Sequence, residues 1–408
     1  MNDNPSRLGP REFLKNRSFL LFEARGTMSA VSYTIYIGTI LWLTYRLSGG
    51  IFLSGIVIGV QTVVFTLTFL ISPLVDRVYD KRWVFVLCYP VQTALAVTLG
   101  LTYALGWLSV PLLLVIVVLL AVLWDFTEAA DETTTRLLFG KDHLFVISGL
   151  GGAIGGGVSI AMYFTAGAAI ALFGPSGGSY VVAALLAAGT ILALPLAIPT
   201  PKITKQTWWS GMREGWAVFR GDKGTPLRHL SLLQLVVGFF VAAPLLLLTL
   251  FVGRSFAASQ ATYAELYVAY LVGGIVIGLI LGRVNPRGYV GLVTLGAIFV
   301  TGLLLLGAEV AVVSLLVSML AWFGLGVTSS ARQGPWTYLQ GRFEPELLAR
   351  VTMNVYLFTG ISSAIGAFVF GFLSTTWSPA ALTLLTVSGF VGSAALGFLL
   401  VGTRTMRF

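Results

Sequence analysis

Residues Leu108–Arg136 read LSVPLLLVIVVLLAVLWDFTEAADETTTR. The uncharged run Leu108–Trp124 already has the length a helix needs to cross roughly 30 Å of hydrocarbon. The chain then places Asp125, Glu128, Glu132 and Arg136 at steps of three and four, so one face of the same helix carries four ionisable groups. A lipid-spanning helix with charge along one face has a polar neighbour or a water path beside it, because an isolated charge in hydrocarbon is costly.

The rest of the chain shares this character. Of its 408 residues 57% are hydrophobic and 10% charged, and the mean hydropathy is +0.90. Water-soluble domains carry roughly a quarter of their residues as charges, so the solvent for most of this surface is lipid. The 47 glycines suit helices whose backbones approach closely in a membrane. A single cysteine, Cys88, excludes an internal disulfide framework and any multi-cysteine metal site. The polar opening MNDNPSRLGPREFLKNR does not read as a cleavable signal peptide.

Twelve apolar runs are long enough to span: Phe19–Tyr45, Phe52–Val75, Trp83–Leu105, Leu108–Thr133, Leu144–Phe173, Tyr180–Ile198, Leu230–Val252, Tyr263–Leu281, Tyr289–Leu306, Val310–Thr328, Val351–Phe372 and Ala380–Val401. The predicted fold class is an all-α integral membrane protein with two six-helix pseudo-repeat bundles around a central cavity. Residues 1–198 form the first bundle, 199–229 a cytoplasmic linker and 230–408 the second bundle. Of the 25 Lys and Arg, only Arg25, Arg46 and Arg254 lie away from the N-terminus, the even-to-odd loops and the C-terminus. That bias predicts a multi-pass cell-membrane protein with both termini cytoplasmic. In the linker, Trp208, Trp209, Met212, Trp216 and Phe219 recur at helical spacing, as an interfacial helix would have them. A basic cytoplasmic rim accounts for the net charge of +9, so no nucleic-acid partner is expected.

Several stretches resemble the major facilitator superfamily. Ser72–Trp83, SPLVDRVYDKRW, is similar to its loop signature after span 2, with Asp76, Arg77, Lys81 and Arg82 matching and Ser72 in place of a glycine. Gly278, Gly282, Arg283 and Arg287 form a degraded copy in the second half. Asn16–Phe19, Arg213–Gly215, Gln340–Arg342 and Ala349–Val351 resemble the macrolide-efflux branch of drug:proton antiporters. The resemblance implies that spans 1, 4, 7 and 10 line the cavity. It also implies that the loop charges hold one conformational state through salt bridges.

On that footing the candidate proton-coupling or cavity residues are Glu23, Arg25, Tyr36, Asp125, Glu128, Gln234 and Trp322. Arg25 and Glu128 share a depth by helical rise, so an Arg25–Glu128 or Arg25–Asp125 pair is expected. Three readings fit this cluster: a structural ion pair, a protonatable carboxylate that biases the two access states, or a counter-charge for cargo. The candidate gating residues are Asp76, Arg77, Arg82, Asp131, Glu132, Arg136, Arg283, Arg342 and Arg350, with topology-setting charge as the alternative for each. Arg332 belongs to the same basic group before span 11. His229, at a loop edge, reads as solvated.

No Gly-x-x-x-x-Gly-Lys-Ser/Thr loop, His-Glu-x-x-His or Gly-x-Ser-x-Gly occurs, which argues against ATP hydrolysis and intramembrane enzyme chemistry. The expectation is a monomeric, non-enzymatic secondary transporter. It would sit in the lipid bilayer, need no cofactor beyond a proton gradient, and export an amphipathic organic compound as its small-molecule substrate. Uptake of a small metabolite by symport or uniport, or a non-transporting receptor, are the alternatives.

Overall fold

The computed structural model describes residues 15–66, 75, 78, 80–139, 144–198, 217–220, 225–256, 259–284, 289–310, 314–332, 339 and 345–404. These residues form thirteen helices and no strand: α1 Arg17–Ser48, α2 Phe52–Thr66, α3 Arg82–Ala104, α4 Val110–Phe139, α5 Leu144–Ala193, α6 Thr225–Val241, α7 Ala243–Ser255, α8 Gln260–Val284, α9 Val290–Val310, α10 Leu315–Ala331, α11 Pro345–Leu373, α12 Pro379–Leu399 and α13 Val401–Arg404. All-helical structure is what hydrocarbon demands of an open chain, since each helix satisfies its own backbone hydrogen bonds. Large apolar side chains lie exposed along these helices, among them Leu87, Leu172, Phe173, Ile191 and Leu316. Such a surface is stable only against lipid.

The thirteen helices of the described residues accommodate the twelve expected spans, with one correction, in span 7. Spans 5 and 6 are separate helices as expected, the two legs of α5. They meet at Gly174, whose φ of 64° and ψ of −154° lie in a region open only to glycine, and Pro175 starts the second leg. Span 7 is interrupted at Ala242, between α6 and α7, because Pro244 supplies no amide hydrogen to close the helical ladder.

The chain forms two compact units, Met1–Thr39 with Leu67–Lys205, and Ile40–Thr66 with Gln206–Phe408. In the second unit, residues 40–66 pack with the C-terminal helices. A Cβ on Gly55 of α2 would stand 2.6 Å from both Ala367 O and Gly371 Cα of α11, so the two helices touch backbone to backbone. Trp42 stacks on Tyr263 at 4.6 Å. Elsewhere in this unit α11 packs on α6, α8 on α10, and α9 on α10 and α12. His229, expected to be solvated, accepts a 3.0 Å hydrogen bond on Nδ1 from Gly402 N–H and ties α6 to α13.

In the first unit α3 packs on α5 and α4. Phe19, Phe22 and Leu196 close a small core between α1 and the end of α5. Ser176 Oγ donates to Gly100 O at 3.0 Å, fixing the α5 turn to α3. Of the linker, residues 217–220 are helical, and the predicted interfacial aromatics from Trp208 to Trp216 lie outside the described residues.

Candidate functional site

Buried charge occurs in each unit. In the first, α1 carries Arg25 into the interior with no solvent exposure. Its Nη1 donates to Asp131 Oδ2 at 3.2 Å and its Nη2 to Asp131 Oδ1, a bidentate pair between α1 and α4. Nη1 also donates to Tyr89 Oη of α3 at 2.6 Å. The guanidinium carbon lies 4.0 Å from the Phe85 ring centre and 4.8 Å from that of Phe22. Helical spacing builds this cage: Phe22 and Arg25 are three apart on α1, Phe85 and Tyr89 four apart on α3. The cage binds a flat cation on its faces and satisfies it at its edge.

Asp131 is the carboxylate partner of Arg25, in place of the expected Glu128 or Asp125. The reason is helix length. Arg25 lies eight residues inside the start of α1 at Arg17, and α4 runs to Phe139, so the residue of matching depth is Asp131. Asp125 is fully buried on α4, Glu23 on α1 is half-buried and Glu128 is exposed. The three carboxylates lie within two turns of the Arg25–Asp131 pair on their own helices.

Deeper along α1, the Tyr36 and Trp124 rings pack at 4.8 Å and Tyr33 meets Trp124 edge-on at 5.2 Å. Tyr36 Oη and Trp124 Nε1 are buried without a hydrogen-bond partner, two polar atoms free for a ligand. Tyr36 was a sequence candidate. Trp124 was missed, although it adjoins Asp125 in the acidic stretch.

Of the predicted gating residues, Arg82 and Asp131 have described side chains. Arg82 pairs with Asp80 at 3.2 Å, lies 5.6 Å from the Trp83 ring and donates to Leu194 O at 3.5 Å. Asp131 is engaged by Arg25 instead. Lys81, from the same motif, is buried and donates to Val75 O. Asp76, Arg77 and Arg342 lie outside the described residues. Glu132 and Arg136 on α4, Arg283 on α8 and Arg350 on α11 have side chains outside them.

In the second unit Gln234 is half-buried on α6. Trp322 of α10 is buried 6.4 Å from Phe251, and its Nε1 has no hydrogen-bond partner. Arg332, at the end of α10, was grouped with the loop charges but turns inward. Its Nη2 donates to Ser329 Oγ at 3.1 Å, its guanidinium lies 5.3 Å from the Phe390 ring of α12, and Tyr270 of α8 donates to the same Ser329 Oγ at 2.9 Å.

Neither a family model nor a curated protein sequence matches this chain. Solved structures do. The nucleoside transporter NupG aligns with a TM-score of 0.69 and 13% identity over 94% of this chain and 98% of its own. A bacterial homologue of the human lysosomal transporter Spinster aligns with a TM-score of 0.65 and 17% identity over 96% and 98%. A POT family peptide transporter aligns with a TM-score of 0.72 and 11% identity over 94% and 96%. The chain shares the fold of these solved transporters. At these identities the likeness shows the fold alone and leaves cargo to this chain's own residues.

Proposed function

We propose that the chain is a secondary active transporter that works by alternating access and exports an amphipathic organic compound in exchange for protons. The observation that carries this reading is the charged layer of the first unit. There Arg25 and Asp131 are held in a cage at membrane depth with Asp125, Glu23 and Glu128 nearby on the same two helices. A fully buried carboxylate such as Asp125 is where taking up a proton changes the energy of one conformational state against another. The macrolide-efflux resemblance supports export. The aromatic walls at Tyr33, Tyr36 and Trp124 and at Trp322 and Phe251 suit an amphipathic cargo. The two six-span halves of the predicted division are the moving bodies in this reading, the termini are cytoplasmic, and the protein acts as a monomer in the cell membrane.

The test is flux in proteoliposomes under an imposed pH gradient, screened over macrolides, lipophilic ions and small metabolites. Asp125→Asn and Glu128→Gln are expected to lower gradient-driven flux at least about tenfold while sparing substrate exchange. Unchanged pH-driven flux in both variants rules out coupling through these residues, and accumulation toward the opposite side replaces export by uptake. No flux of any solute leaves the fold as that of a non-transporting receptor.

A further inference from the structure

Arg25 and Arg332 stand in similar settings with one difference. Each is an arginine with buried guanidinium nitrogens, lying against phenylalanine rings and near a tyrosine hydroxyl. Arg25 has a carboxylate. Arg332 has none among the described residues, and its one acceptor is the neutral Ser329 hydroxyl, itself shared with Tyr270. A guanidinium presents five donor hydrogens in a plane. The three on Nε and Nη1 of Arg332 are buried and meet no acceptor among the described residues. The C-terminal end of α10 favours a cation through its dipole, but its carbonyls do not reach these nitrogens.

The remaining surroundings are organised to meet a ligand. Tyr263, Tyr267 and Tyr270 lie along one face of α8 and stack at 6.0 Å and 6.4 Å with interplanar angles of 7° and 16°. Trp42 continues the ladder beyond Tyr263. The row of rings ends at Ser329 and Arg332, with Phe390 on the far side. Unpaired, in-plane donors on a buried guanidinium match the paired oxygens of a carboxylate or phosphate, which take two parallel N–H···O bonds. We propose that Arg332, with Ser329, Tyr270 and Phe390, forms a binding site for the oxyanion group of an amphipathic organic anion. This narrows the cargo class and rests on the transporter reading above.

Four isosteric probes test it on the purified full-length protein: benzoate, phenyl phosphate, neutral benzamide and cationic benzylamine, each read as a shift of the unfolding midpoint. Benzoate or phenyl phosphate is expected to raise the midpoint of the wild type, with benzamide and benzylamine without effect, and the better anion tells carboxylate from phosphate. Arg332→Gln is expected to weaken the anion response at least about thirtyfold, and Arg332→Lys less, since it keeps the charge and loses the fork. Without ligand, Arg332→Gln is expected to unfold at or above the wild-type temperature, because it removes a partly buried charge that has no carboxylate partner among the described residues. An anion response equal to that of benzamide, an anion response kept in Arg332→Gln, or a fall of several degrees in ligand-free Arg332→Gln each overturns the proposal. Flux separates the two readings. Anion binding without transport sinks the transporter and keeps the site, whereas transport without anion preference sinks the site alone.

Discussion

Replacing Asp131 by Asn is expected to lower the unfolding free energy by about 3 kcal/mol, because it strands a guanidinium in the interior. Arg25 is fully buried and its carboxylate partner is 24% exposed. Losing one member of a buried pair costs about 3–5 kcal/mol, and the partial exposure of Asp131 places this case at the lower end. The Tyr89 hydroxyl and the Phe22 and Phe85 faces remain, but none supplies a negative charge. Removing both charges is a different matter. Arg25→Met with Asp131→Leu is expected to fall within about 1 kcal/mol of wild type, since well-packed apolar replacements often match a buried pair. An unfolding titration in mixed micelles over the four members of the double-mutant cycle reads both numbers. An Asp131→Asn variant as stable as wild type means that the pair does not hold α1 to α4.

The second large effect is at Gly326. A Cβ there would fall on Tyr270 O of α8 and stand 2.7 Å from Tyr270 C and 3.1 Å from Gly274 N. A Cβ on Gly273 would fall in turn on Phe323 O of α10, so these helices cross with no side chain between them. Gly326→Ala forces backbone from backbone, with no flexible side chain to give way, and is expected to cost about 3 kcal/mol or prevent a stable fold. Gly278→Ala on α8 is the control, since a Cβ there meets nothing within 4 Å, and it is expected to change stability by less than about 1 kcal/mol. Equal stability of the two variants refutes the close crossing. The same substitution moves Tyr270, whose hydroxyl reaches Ser329, so a surviving Gly326→Ala protein is expected to show a weakened anion response as well.

The spans were legible because hydrocarbon imposes a length and a composition that any stretch such as Leu108–Trp124 displays openly. What the sequence concealed were matters of one turn of helix. Arg25 was matched to Glu128 because the end of α4 is masked by polar residues, and three further residues of helix move the pairing to Asp131. Arg332 was grouped with the loop charges, as gating or topology-setting, because it lies at the end of an apolar run. Only the positions of Tyr270 and Phe390, contributed by helices distant in sequence, show that it turns inward. The close crossing of α8 and α10 was equally hidden, since Gly273 and Gly326 are two among 47 glycines and nothing local distinguishes them.

The turn of α5 at Gly174 and Pro175 has a consequence for how the protein is made. This turn offers almost no free chain: Ser176 is tied to Gly100, and a Cβ on Gly177 would fall on Ala169 O. Two apolar legs joined so tightly are expected to insert into the bilayer together, as one hairpin. The face they present stays closed to proteases and antibodies, and an epitope tag placed there would unfasten the hairpin it was meant to report on.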